Sequence, residues 1–224
     1  MVSHSDSSDA ELVSVLIVDD HPMLRKGVTD LLALEEGFGA IKEAKSGEEA
    51  LELATEFEPD IILLDLNMKG MDGIATIAAM RDRDIYSRIL IFTVSDDQAD
   101  VIKAIKCGAD GYILKDTEPE ALVHFLHQAV NGSMAISDKL TGILAQALKE
   151  EDKPSPSFAL HSLTYREQQI LSLISSGMSN KMIARELNIA EGTVKVHVKN
   201  LLKKLKMRSR VEAAIWAMEN NLKK

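Results

Sequence analysis

The chain has a single cysteine, Cys107, which excludes an intramolecular disulfide, and one thiol alone cannot form a thiolate metal site. No apolar run approaches the roughly 18 residues that a membrane span requires. The opening MVSHSDSSDAELV lacks the basic start and the apolar middle of a signal peptide. No combination of His and Cys has the spacing of a zinc finger. These absences point to a reducing, cytoplasmic setting, with residues 1–11 expected to be a short disordered lead-in. The composition is that of an ordinary globular protein: 224 residues, 46% hydrophobic and 27% charged, enough for one large core or two smaller ones.

The net charge of −9 is unevenly shared. Residues 1–150 carry 13 Lys and Arg against 28 Asp and Glu, whereas residues 160–224 carry 12 against 5. Two domains of opposite polarity are implied, −15 and +7, joined across EEDKPSPSFA, whose Pro and Ser mark the flexible part of the joint. The domain limits read as 12–132 and 160–224. The joining segment 133–159 opens with an amphipathic helix in DKLTGILAQALKEE.

In the first domain, SVLIVDD, FGAIKEAKS, DIILLDL, RILIFTV and GYILK are short runs rich in branched residues. Helical patterns such as GEEALELATEF, DQADVIKAIKCG and EPEALVHFLHQAVNG alternate with them. Repeated βα units of this size predict a parallel, doubly wound sheet, whose ligands sit at the carboxyl ends of the strands. Those ends carry Asp19 and Asp20, Asp65, Thr93 and Lys115. A polar residue at one strand end is ordinarily just the start of a solvated loop, but five on one rim form a constellation. Three crowded carboxylates repel unless a divalent cation and an ammonium compensate them. Mg²⁺ takes oxygen ligands, so Asp19 or Asp20, Asp65 and a backbone carbonyl make a partial octahedron.

The second domain reads as wholly helical. TYREQQILSLISSG opens with Thr164 and Glu167 spaced as a capping box, and SRVEAAIWAMEN repeats that spacing with Ser209 and Glu212. Between them, SNKMIAREL, the break NIAEG and TVKVHVKNLLKKLK suggest helix-turn-helix. In the helix expected over Thr193 to Lys206, Val194, Val198, Leu201, Leu202 and Leu205 form one apolar stripe facing the domain core. Lys195, Val196, Lys199, Asn200 and Lys203 fall opposite. Such a face is usually only solvated, but in a +7 domain the DNA major groove explains it better. Lysines reach phosphates or guanine edges, Asn200 reaches bases or backbone, and Val196 packs on a thymine methyl.

LIVDDHPM, ILLDLNMKGMDG, ILIFTVSD and GADGYILKD together resemble the receiver domain of two-component response regulators over about residues 12–132. LTYREQQILSLISSGMSNKMIARELNIAEGTVKVHVKNLLKKL resembles the LuxR-type helix-turn-helix over about 160–221. The pair is the architecture of NarL/FixJ response regulators, and the C-terminal run is most similar to the nitrate/nitrite regulators of that family. The resemblance implies a flavodoxin-like sheet of order 2-1-3-4-5 followed by an all-α domain. It implies that Asp65 accepts phosphoryl from a sensor histidine kinase, and that Asp19, Asp20, Asp65 and the backbone carbonyl of Asn67 hold Mg²⁺. Lys115 would neutralise the phosphoryl oxygens and Thr93 would hydrogen-bond them, making room for Tyr112 to turn inward; the alternative for Tyr112 is a half-buried strand aromatic. Lys195, Val196 and Lys199 would contact bases of double-stranded DNA. The last helix, around Val211, Ile215 and Trp216, would pair a homodimer on DNA, or else simply pack in the core. RNA polymerase is a further expected partner. The receiver pattern commonly has Pro after the Lys, where this chain has Asp116.

Phosphatases that work through an aspartyl-phosphate need a second Asp two residues after the nucleophile, and Asn67 stands there, which disfavours an enzyme acting on external substrates. Two readings stay open. In one, the acidic receiver masks the basic recognition face until Asp65 is phosphorylated. In the other, the protein is a constitutive DNA-binding dimer whose receiver is only an interaction module.

Overall fold

A computed structural model describes residues 12–130 and 162–220. The lead-in and the whole joining segment 133–159, with the helix expected in it, lie outside these residues. In the receiver, five strands, β1 (Val13–Val18), β2 (Phe38–Ala44), β3 (Ile61–Leu64), β4 (Arg88–Thr93) and β5 (Gly111–Leu114), form one parallel sheet of order β2-β1-β3-β4-β5. β3 is apolar at every position because helices cover both faces of the sheet. Ile62 and Leu64 belong to one layer of the core, Ile61 and Leu63 to the other.

The helices are α1 (Pro22–Leu34), α2 (Gly47–Phe57), α3 (Gly73–Asp82), α4 (Gln98–Cys107) and α5 (Pro119–Val130). Their starts are chemically marked. The side chains of Ser46, Asp72 and Asp97 accept from Glu49, Ala75 and Ala99 N–H, and Pro22 opens α1. α4 stops at Gly108, whose φ of 113° favours glycine.

Four helices form the C-terminal domain: α6 (Tyr165–Ser175), α7 (Asn180–Leu187), α8 (Glu191–Leu205) and α9 (Arg210–Glu219). The Thr164 and Glu167 capping box is complete. At α9, Ser209 accepts from Glu212 N–H, and the Glu212 carboxylate accepts from Arg208 N–H. α8 begins two residues before the expected Thr193, because the Ala190 carbonyl already receives Thr193 and Val194 N–H and Glu191 suits a helix N-terminus. Lys206, expected inside the helix, ends it in a left-handed conformation. Val194, Val198, Leu201, Leu202 and Leu205 are buried in the domain core, as the stripe predicts. Among the described residues, no helix is long and apolar enough to cross a membrane.

The two domains touch. Val211 and Ile215 of α9 join the receiver core layer that contains Ala104 and Ile105 of α4, while Tyr86 of the receiver packs on the helical core. The docking surface comes from the ends of the sheet where β3, β4 and β5 begin, opposite the rim where they finish.

Candidate functional site

β1, β3, β4 and β5 each deliver a polar residue just past or at the carboxyl end, and the sheet brings them together. Asp19 and Asp65 are buried, each about 2% exposed, and Thr93 is fully buried. Lys115 Nζ bridges the two carboxylates, 2.7 Å from Asp19 Oδ2 and 2.8 Å from Asp65 Oδ2. Burial works against its ammonium, but the hydrogen bonds and charges of Asp19 and Asp65 outweigh it and hold the amine above its ordinary pKa. Asp65 Oδ1 is buried without a hydrogen-bond partner. One carboxylate oxygen is therefore engaged, and the other is open to a cation or an electrophile.

Asp19, Asp20, His21 and Asp65 each offer a ligand atom, all within 4.8 Å of one another. A pocket with three carboxylates and an open buried oxygen is compatible with Mg²⁺. His21 was not singled out by sequence reasoning. Its Nδ1 lies 3.2 Å from Asp19 Oδ1 and 3.0 Å from Asp20 Oδ1, and its backbone N–H donates to Asp19 at 2.8 Å. The only signal for it was adjacency in DDHP. The Arg25 guanidinium holds the Asp19 carbonyl at 2.7 Å, one turn into α1.

The Thr93 hydroxyl accepts from Asn67 Nδ2 at 3.3 Å and from Ser95 N–H at 3.4 Å. The Tyr112 hydroxyl donates to the Ser95 carbonyl at 2.8 Å, so the strand aromatic and the loop after Thr93 are tied together. Burial, added to by Asp100, Asp96 and Asp97, pushes this phenol's pKa up. Beyond Lys115 the chain turns with Thr117 N–H donating to the Leu114 carbonyl, and Asp116 is exposed.

On α8, Lys195, Val196, Lys199, Asn200 and Lys203 are all exposed residues, and Val196 retains 58% of its surface. Two of the lysines meet the receiver. Lys195 Nζ lies 2.6 Å from Asp60 Oδ1, and Lys203 Nζ lies 3.3 Å from Asp84 Oδ2. Ser14 fixes Asp60 for this contact: its hydroxyl and N–H donate to Asp60 Oδ2 at 2.8 and 3.1 Å. Burial disfavours the Asp60 carboxylate, yet Lys195 and Ser14 more than compensate and hold its pKa below the ordinary value. Asp60 and Asp84 also escaped sequence reasoning, since a contact between distant segments leaves no periodic trace. Val211 and Ile215, expected at a dimer contact or in the core, face the receiver, whereas Trp216 packs in its own domain.

The response regulator receiver domain model matches residues 15–127, and that of the luxR family of bacterial regulatory proteins matches residues 161–217. The chain is 48% identical over 215 residues to the nitrate/nitrite response regulator protein NarL of Escherichia coli strain K12, covering 96% of this chain and 99% of the relative. It is 45% identical over 211 residues to the nitrate/nitrite response regulator protein NarP of the same strain, covering 94% and 97%. A solved LuxR-family two-component response regulator from Aurantimonas sp. SI85-9A1 is similar at 34% identity and a TM-score of 0.55, covering 62% of this chain and all of that one.

Proposed function

The chain belongs to the NarL/FixJ family of two-component response regulators, transcription regulators worked by phosphorylation, and from that premise we propose that it is a masked switch acting in the cytoplasm on nitrate- or nitrite-responsive genes. Asp65 Oδ1, the oxygen that Lys115 leaves free, attacks the phosphorus of the kinase phosphohistidine. The P–N bond breaks as the P–O bond forms, and Lys115 Nζ then faces the new phosphoryl oxygens. Asp19, Asp20, Asp65 and the backbone carbonyl of Asn67 would hold Mg²⁺, which neutralises phosphoryl charge when bound. Thr93 exchanges its Asn67 and Ser95 partners for a phosphoryl oxygen, and the Tyr112 tie to Ser95 follows that movement.

The observation that carries masking is Lys195 held by Asp60. A carboxylate set rigidly by Ser14 occupies the lysine that would meet DNA, so receiver and operator compete for one face. Release frees Lys195, Val196, Lys199, Asn200 and Lys203 for a major groove. It also uncovers Val211 and Ile215, whose apolar surface then suits a second copy in a DNA-bound homodimer, with RNA polymerase recruited alongside. The domain limits 12–132, 133–159 and 160–224 follow from the same reading.

The test is DNA capture by full-length protein with Mg²⁺ and a small phosphodonor. Specific binding should rise at least tenfold on phosphorylation, and Asp65→Asn should lose both phosphoryl incorporation and the rise. Equal binding with and without phosphorylation would instead support a constitutive dimer whose receiver is an interaction module.

A further inference from the structure

A cavity of about 290 Å³ lies where the two domains meet. Leu90 and Ala129 of the receiver and Ile174, Val211, Ala214 and Met218 of the helical domain give it an apolar wall. Arg88, Asp110 and Arg210 also line it. The Asp110 carboxylate is already committed, to Arg81 at 2.9 Å and to Ile89 N–H at 3.0 Å. Arg210 donates to neutral acceptors, Asn180 Oδ1 at 2.8 Å and the Met178 carbonyl. Among the described residues the Arg88 guanidinium makes no hydrogen bond. Asp110, Asp60 and Glu191 act on Arg88 through charge without a hydrogen bond, but Asp110 is held by Arg81 and Asp60 by Lys195.

Docking therefore sets two partly buried guanidiniums on the wall of one cavity. Burial and the charge of Arg88 push the pKa of Arg210 down to about 9, and Asp110 only partly opposes them. The carboxyl end of α6 contributes a partial negative charge of about one half, well short of two cations. An anion between Arg88 and Arg210 would relieve the repulsion, and an apolar tail would fill the rest of the space. The volume suits a small molecule, at the lower limit of about 300 Å³ for ligand sites.

We propose that this interdomain cavity binds a short aliphatic monocarboxylate, with its carboxylate on Arg88 and Arg210 and its chain against Leu90, Ile174, Val211 and Met218. Both domains supply the site, so the ligand binds the docked form alone. The regulatory half of this inference rests on the masking reading: a ligand that selects the docked form opposes DNA binding and, by reciprocity, is expelled by phosphorylation. The protein would then integrate a second, metabolic signal with the kinase signal.

Sodium hexanoate is the probe, titrated at constant ionic strength into the unphosphorylated full-length protein and its Arg88→Gln and Met218→Trp variants and followed by calorimetry. The fluorescence of Trp216 is a second readout in the protein and in Arg88→Gln, where it is the single tryptophan. One saturable equivalent per chain is expected, with hexan-1-ol binding at least tenfold more weakly. Arg88→Gln removes a guanidinium, and Met218→Trp obstructs the cavity from an exposed position without changing charge; each should weaken hexanoate at least tenfold while retaining the native melting temperature. Hexanoate at ten times its Kd should lower operator affinity about tenfold. Absence of binding, or equal binding by the protein and both variants, overturns the site. Binding that meets these criteria yet leaves operator affinity unchanged establishes the site and overturns the masking reading instead.

Discussion

Gly73 shows how much of the geometry around Asp65, the proposed phosphoacceptor, depends on an atom that is missing. A Cβ there would lie 2.4 Å from the Asp65 carbonyl oxygen and 2.7 Å from Leu66 Cα, so any side chain must move the backbone that carries Asp65. Gly73→Ala should lower phosphoryl incorporation at least tenfold, measured with a small phosphodonor. Gly27, on an exposed part of α1 with nothing near its would-be Cβ, is the control. Gly27→Ala should leave phosphorylation intact and stabilise by about 0.5–1 kcal/mol. Arg81 is a second residue of this kind. It is buried, donates to the carbonyls of Gly108, Ile85 and Ser87, and pairs with Asp110. Arg81→Met removes the hydrogen-bonded partner of Asp110 and the donor to three buried or half-buried carbonyls, and should cost about 3–5 kcal/mol in urea unfolding. Asp19, Asp20, Asp65, Thr93 and Lys115 were legible because each follows an apolar run whose end marks a rim. Gly73 stood in the same stretch without a legible reason, since its crowding comes from a chain reversal.

At the scale of elements, capping chemistry made the starts of α6 and α9 legible, and it also makes them testable. Glu167 is buried in the α6 capping box, with its carboxylate on Thr164 N–H and on Lys204 Nζ of α8 at 2.7 Å. Burial raises its pKa, but Lys204 and Thr164 outweigh that and hold it below the ordinary 4.5. The sign follows from the lowered value. Glu167 binds a proton more readily unfolded than folded, so its contribution is present above about pH 4.5 and is lost as pH falls through the lower folded value. The stability difference between the protein and Glu167→Gln should therefore hold steady from neutral pH to about 5 and shrink below it, as read from urea midpoints. The α8 start was misread because Gly192 looked like part of a break, whereas Ala190 begins the helix with backbone alone.

The whole molecule poses the problem that neither residues nor elements resolve: the acidic rim that holds Asp65 and the docking surface lie at opposite ends of the sheet. β4 runs from Arg88 beside the helical domain to Thr93 at the acidic pocket, a span of roughly 16 Å at about 3.3 Å per residue. On the masking reading, a phosphoryl group cannot repel α8 directly over that path, so release would come from rearranged packing. The most direct element is α4, with Asp100 accepting from Ser95 at one end and its cap Gly108 beside Arg208, just before α9, at the other. Charge asymmetry made the existence of the contact legible. Its partners were not, since pairing of distant surfaces depends on the fold. The exposed Lys203 to Asp84 pair contributes about 0–1 kcal/mol at most, and the half-exposed Lys195 to Asp60 pair is screened as well. Burial of Val211 and Ile215 must then supply much of the closure, a few kcal/mol at about 1.5–3 per side chain. A switch needs a balance that small. The fragment 155–224, whose own core contains Leu171, Val198, Leu201 and Trp216, should bind operator DNA more tightly than the unphosphorylated full-length protein. Asp60→Asn should move the full-length protein part of the way toward it. A fragment that binds more weakly than the full-length protein in a side-by-side mobility-shift titration would mean that the receiver assists DNA binding rather than competing with it.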